Sequence, residues 1–328
     1  MTDLQTQSEK DFIEGCNKIQ ALRQEIVKSI IGQNKVVDEM IIGLLAGGHT
    51  LIEGVPGLGK TLLVRTMAKA AGSEFRRIQF TPDLMPSDIT GHTMFDTKNN
   101  QFRIRRGPIF CNFLLADEIN RAPAKTQAAL LESMQELQVT IEGKSLILEP
   151  PFLVMATQNP IEQEGTYPLP QAQTDRFLFK IFISYPTADD ELQIVTGTTD
   201  KQTGDGLNTS MIQPVLATED VLKLQQLAAN MTIDKEVASY VVRIVRTTRS
   251  WNGIDYGAGP RGGINLLRAA RGNALLNSRN YVIPDDVKGV AMPVLRHRIK
   301  LSADLEIEGY SPDDVIAELL ENVEAPRL

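Results

Sequence analysis

Gly54-Val55-Pro56-Gly57-Leu58-Gly59-Lys60-Thr61 follows the short apolar run His49–Glu53 and precedes the helix-forming stretch Leu62–Ala71. The octapeptide fits G-x-x-x-x-G-K-[ST] in the strand–loop–helix context that gives the pattern its meaning. Its glycines let the backbone curl so that successive N–H groups face an anion, and the following helix presents its positive end to the same place. Gly54 to Thr61, with Leu62 after them, are therefore the candidate nucleotide contacts. Lys60 suits the β- and γ-phosphates of a nucleoside triphosphate, and the Thr61 hydroxyl suits magnesium. A dinucleotide-binding turn fits less well, because that fingerprint needs no Lys-Thr after its glycines.

Further along, Phe113-Leu114-Leu115-Ala116 runs into Asp117-Glu118. An apolar strand ending in two carboxylates places them at the edge where ligands sit in open α/β sheets. Asp117 is the candidate magnesium ligand. Glu118 is placed to polarise an attacking water, as ATP hydrolysis requires. Alone this dipeptide is a weak signal; following a phosphate loop, it supplies the second half of a triphosphatase.

Phe75–Phe80, Ile109–Ala116, Phe152–Thr157 and Phe177–Ile183 read as further buried strands, and Pro123–Glu136 as a helix with Pro at its first turn. Val139–Glu142 and Ser145–Leu148 read as a hairpin turning at Gly143–Lys144. Alternating strands and helices predict an α/β fold, a parallel five-stranded αβα core covered on both faces. Beyond Tyr185–Pro186 the pattern turns helical, with candidates at 234–250, Gly262–Asn277, Pro284–Val294 and Pro312–Glu321. Residues 9–45 read as helix broken near Ile31–Gly32, and Lys201–Asn208 as a loop. The expected division is a nucleotide-binding core over residues 1–186 and a helical lid over residues 187–328.

A net charge of −7 speaks against a general nucleic-acid binder. The two cysteines, Cys16 and Cys111, are too few for a disulfide framework or a zinc site, so reduced thiols are expected. The polar N-terminal residues 1–11 do not resemble a signal peptide, and no apolar stretch approaches the ~20 residues of a membrane span. These readings together predict a cytoplasmic protein. Trp251 and the histidines His49, His92 and His297 show no ligand spacing and are assigned packing or surface roles.

With both motifs in hand, the chain resembles the MoxR family of AAA+ ATPases from about Ile30 to Val294. The resemblance rests on Ile31-Gly32-Gln33, Gly54–Thr61, Asp117–Pro123, Ala156-Thr157-Gln158-Asn159-Pro160, Leu169–Phe177 and Pro260-Arg261. It implies that Ile31 and Gly32 line an adenine pocket and that Asn159 senses the γ-phosphate or the attacking water. A side-chain amide suits that job because it donates and accepts without net charge. It implies that Arg176 is an arginine finger for the neighbouring subunit's nucleotide; the alternative is an Arg paired with Asp175 or another surface carboxylate. It implies that Arg261 is a second sensor facing ATP in its own subunit, with Arg268 and Arg271 as alternatives on the same helix. Gly259-Pro260-Arg261-Gly262-Gly263 departs from the family pattern in its two glycines, which bears on lid geometry. Gly91–Pro108, with Phe95, Phe102 and three arginines, resembles a hairpin insertion. The resemblance further implies ATP and Mg2+ as cofactors, a hexameric ring of identical subunits, and movement of lid against core. It also implies a chaperone-like action on a partner protein, and in the family such partners often carry a von Willebrand factor A domain. A DNA-handling ring motor is the alternative, which the acidic charge disfavours, as is a nucleotide-gated scaffold.

Overall fold

The apolar runs on either side of the phosphate loop pair into one sheet in a computed structural model, described for residues 2–160, 165–199 and 209–327. Helices α1 (Thr2–Val27) and α2 (Asn34–Leu45) precede β1 (Thr50–Glu53) and α3 (Lys60–Ala70). Next come β2 (Phe75–Gln79), the short α4 (Pro86–Thr90) and a hairpin, β3 (Gly91–Asp96) and β4 (Gln101–Arg106). Then follow β5 (Phe113–Asp117), α5 (Ala124–Glu136), a second hairpin of β6 (Gln138–Ile141) and β7 (Lys144–Ile147), and β8 (Leu153–Gln158). The core closes with α6 (Gln171–Thr174) and β9 (Phe179–Phe182).

The main sheet has the order β2-β5-β8-β1-β9 with every neighbouring pair parallel. Its central strands β5, β8 and β1 are largely buried because both their faces are covered, whereas the edge strand β2 exposes Arg76, Arg77 and Gln79. Successive residues feed opposite layers: Leu51 and Leu114 enter one apolar cluster, Ile52 and Leu115 the other. The Ile52 and Leu115 cluster is the first, and the layer with α5 and the hairpins makes up the second, with Leu51 and Leu114. The first joins α1, α2 and α3 to the helical part that follows.

That part runs through α7 (Ala188–Thr199), α8 (Thr218–Ala229), α9 (Lys235–Thr247), α10 (Pro260–Leu276), α11 (Pro284–Leu295), α12 (Ala303–Ile307) and α13 (Pro312–Asn322). On α9 the apolar stripe Val237, Tyr240, Val241, Ile244 and Val245 is buried. The two glycines near the start of α10 do not interrupt it: Pro260 occupies the first turn and the helix continues to Leu276. Among the described residues no helix is long and apolar enough to cross a membrane. Both cysteines are buried free thiols.

Three expectations change. Ile109 and Cys111 are buried and Phe110 partly so, but the three lie in a turn, with the Cys111 N–H donating to Ile109 O, and strand β5 begins at Phe113. The second hairpin turns at Glu142–Gly143, both at positive φ (46° and 79°), while Lys144 already pairs with Ile141. A small antiparallel pair, β10 (Ile254–Tyr256) with β11 (Lys300–Leu301), lies inside the helical part. The expected loop Lys201–Asn208 falls outside the described residues.

Candidate nucleotide site

β1 delivers the chain to Gly54 at the carboxyl edge of the sheet, and α3 begins at Lys60. Gly57 and Gly59 have φ of 86° and 74°, a left-handed conformation that a side chain would strain. A Cβ on either would meet nothing within 4 Å, so the loop is open on that side. The first intrahelical bond of α3 runs from the Leu63 N–H to Gly59 O, and no side chain caps the helix. The N–H groups of Lys60, Thr61 and Leu62 are thus the helix-terminal donors an anion would take. The Lys60 ammonium folds back onto the loop and donates to Gly54 O (2.5 Å) and Val55 O (3.3 Å). Burial lowers its pKa, while Asp117, Glu118 and Glu53 oppose the shift.

Asp117 ends β5 two strands away in the sheet. Its Oδ1 accepts from the Thr157 hydroxyl (2.5 Å), and its Oδ2 accepts from Arg77 Nη2 (2.6 Å) and Nε (3.0 Å). Glu118 lies in the left-handed region at φ 56° and ψ 50°, an uncommon state for a side-chain-bearing residue. Its N–H donates to Thr157 Oγ1 (2.8 Å), and its carboxylate accepts from Gln79 Nε2 (2.7 Å) and Arg121 Nη1 (3.0 Å). One hydroxyl on β8 therefore ties both carboxylate residues in place. Thr157, Arg77, Gln79 and Arg121 were not singled out as functional from the sequence; the alternating polar residues of β2 were the available signal.

Asn159 lies just beyond β8, buried, in a cavity of ≈ 420 Å³ that Glu53, Asn120 and Lys180 also line. Lys180 pairs with Glu53 at 2.8 Å. The Ile31–Gln33 bend reaches the same edge, since Gln33 Nε2 donates to Ser184 O (2.9 Å) and the Ile183 N–H donates to Glu53 O (2.9 Å). Gly32, at φ 75°, packs so closely on α7 that a Cβ would lie 2.5 Å from an Asp190 oxygen. The structure thus brings the loop, Asp117, Glu118, Asn159 and Ile31–Gln33 to one edge.

Arg176 and Arg261 stand at the other edge, where β1 and β9 begin. Both line a cavity of ≈ 580 Å³ with Gly48, His49 and Arg268, and among the described residues no carboxylate contributes to its wall. The expected alternative for Arg176 is not formed. Asp175 instead accepts from Arg298 (2.8 Å) and lies 3.5 Å from Arg261, and the Arg176 side chain has no hydrogen bond or ion pair among the described residues. The expectation for Arg261 is corrected: it does not face its own chain's loop. α10 packs on α2 and α11 with its first turn beside the strand starts, a strand's length from Gly54. Arg268 is spoken for as well, donating to Ala46 O (2.6 Å) and Gly47 O (3.2 Å) where α2 ends.

The model of the ATPase family associated with various cellular activities (AAA) matches residues 49–179, and that of the AAA lid domain matches residues 246–319. Chaperone MoxR1 of Mycobacterium tuberculosis is 46% identical over 315 residues, covering 93% of this chain and 81% of its own. The uncharacterized protein YeaC of Bacillus subtilis is 44% identical over 303 residues, covering 92% and 93%. A crystal structure of a candidate ATPase from Cytophaga hutchinsonii superposes with a TM-score of 0.91 at 41% identity, covering all of both chains. A phosphate loop, a strand-end carboxylate pair, a parallel five-stranded sheet with a following helical lid, and these relatives lead to one assignment: the chain is an ATPase and belongs to the MoxR family of AAA+ proteins.

Proposed function

We propose that the protein hydrolyses ATP as a closed ring of identical subunits and uses the cycle to remodel or activate a partner protein. The observation that carries this reading is the separation of the loop and carboxylates from the Arg176–Arg261 cavity, at opposite edges of one sheet. A cavity lined by Arg176, Arg261 and Arg268, with no carboxylate in its wall among the described residues, suits an anion. Head-to-tail contacts between identical copies would supply one by facing that cavity to the next subunit's phosphates, and such contacts close into rings.

Within the site, Lys60 and the loop N–H groups hold the phosphates, and Ile31, Gly32 and Leu62 flank the adenine side. Glu118 accepts the proton of the attacking water, Asn159 positions that water or the γ-phosphate, and Arg176 and Arg261 stabilise charge from across the subunit boundary. The Thr61 hydroxyl and the Asp117 carboxylate are hard oxygen donors of the kind magnesium takes alongside phosphate and water. Among the described residues no group of three or more His, Cys, Asp or Glu gathers there, so the nucleotide would complete the coordination. Bound magnesium would neutralise charge on the β- and γ-phosphates.

The chaperone reading is carried over from the relative named Chaperone MoxR1. A partner with a von Willebrand factor A domain and a hexameric ring in the cytoplasm rest on the family resemblance. We divide the chain near residue 186 into core and lid. The β3–β4 hairpin, with exposed Phe95, Phe102 and Arg105, is the candidate grip on the partner. The test of the ring is complementation. Arg176→Ala and Lys60→Ala are each expected to be inactive, and assemblies containing both should regain part of the hydrolysis, because an intact loop then meets an intact finger. Mixed assemblies that stay inactive would remove the reading.

A further inference from the structure

Arg298 leaves the end of α11 and is buried at 2% exposure. Its Nε donates to Asp175 Oδ1 (2.8 Å), and its Nη2 donates to Asp175 O (3.0 Å) and Phe177 O (2.5 Å). Its Nη1 donates to Leu178 O (3.2 Å) and to Val294 O. Four of these five acceptors belong to residues 175–178, on both sides of Arg176. A guanidinium presents five donors in a rigid planar fork, so this set fixes a stretch of backbone and not one atom.

Two further contacts extend the arrangement. The other oxygen of Asp175 is the one that lies 3.5 Å from Arg261 Nη1. Gly262, next to Arg261, leaves room for the Arg298 stem: a Cβ there would sit 3.4 Å from Arg298 Cδ and 3.2 Å from Ala258 Cβ. Burial lowers the Arg298 pKa to about 10, with Asp175 opposing. At that value it stays charged at neutral pH.

We propose that Arg298 is the positioning residue of the finger edge. It fixes the backbone that carries Arg176 and, through Asp175, the guanidinium of Arg261, and it ties both to α11 of the helical part. The proposal rests on the reading of Arg176 as acting across a subunit boundary. Buried, with its donors taken by protein oxygens, Arg298 acts through the two arginines.

The test uses the full-length chain with Arg298→Met and, separately, Asp175→Asn. The second keeps its backbone acceptor and nearly its volume, and it carries the test if the first fails to fold. Each is expected to bind ATP within about threefold of the parent and to hydrolyse it about 10²-fold more slowly, the cost of a small misplacement of a group in the transition state. The decisive readout is which partner restores activity in co-expressed mixed assemblies. Each variant should recover with Lys60→Ala, which supplies a sound finger, and not with Arg176→Ala, which lacks one. Recovery with Arg176→Ala instead would place the defect in the variant's own nucleotide site and overturn the proposal. So would parental hydrolysis, while Arg176→Ala with Lys60→Ala still recovers; the reading across subunits would then stand alone. If that control mixture fails, the reading falls and the positioning role with it.

Discussion

Asp117 is shared between two kinds of partner. In the structure its carboxylate is held by Thr157 on one oxygen and by Arg77 on the other, the latter at 2.6 Å. Serving magnesium, the same oxygen would have to be released or shared. Arg77 is half exposed, so its hold is screened by water and worth little on its own. Its charge nonetheless opposes a cation nearby. Replacing Arg77 with Gln should therefore lower the magnesium concentration that half-saturates ATP hydrolysis, by roughly threefold, the scale of a pair worth about 0.6 kcal/mol. A rise in that concentration would show that Arg77 orients Asp117 for the metal. The sequence announced Asp117 and Lys60 because motif residues are close together along the chain. Arg77, Thr157 and Arg298 were illegible because their partners lie 40, 40 and 123 residues away and meet only through sheet register and helix docking.

At the level of elements, the sheet's amino-terminal edge depends on a neutral imidazole. His49 precedes β1, accepts from the Val154 N–H of β8 at Nδ1 (3.0 Å) and lies 3.1 Å from Met134 O at Nε2. Both bonds together require the tautomer with its proton on Nε2. Burial pushes its pKa down to about 4, against about 6.5 for a free imidazole. Between those values the unfolded chain binds a proton that the folded chain refuses, so stability falls as pH falls from about 6.5 to 4. The loss reaches about 3 kcal/mol at the lower end. His297, also buried and held well below its ordinary value, adds to the same slope. In denaturant titrations from pH 7 to 4, His49→Asn should weaken the fold at pH 7 and show a flatter decline than the parent. An unchanged decline would mean His49 is not the proton-linked group. The strands themselves were legible, because burial on both faces leaves an apolar run. What burial does not encode is direction. Ile109–Cys111 is as apolar as a strand yet turns, and the glycines of α10 gave no hint that its first turn lies at the strand starts.

For the molecule as a whole, the question is whether nucleotide turnover moves the lid against the core, as the family resemblance suggests. The packing argues that these parts move together. α1 lies against α2 and α3 of the core and against α8 and α10 of the helical part, and its Ile19, Leu22 and Ile26 are buried in the cluster that joins them. Arg298 adds a polar tie between α11 and the start of β9. In the proposed ring, a motion built on such a subunit would most economically be a rotation of one whole subunit against the next, with the finger edge sliding over the neighbour's loop. This makes a thermodynamic prediction. Trp251, the single tryptophan, packs against the joint cluster from the helical part, so its fluorescence follows that region, while far-ultraviolet circular dichroism follows the entire chain. The two probes should unfold together in denaturant, as one cooperative unit. Leu22 is fully buried, and Leu22→Ala should cost about 2–5 kcal/mol through lost contacts and a residual cavity. That loss should move both curves to lower denaturant by the same amount. If the tryptophan signal shifts alone, or the curves already separate in the parent, core and lid are energetically independent and a hinge between them becomes the better account of how hydrolysis does work.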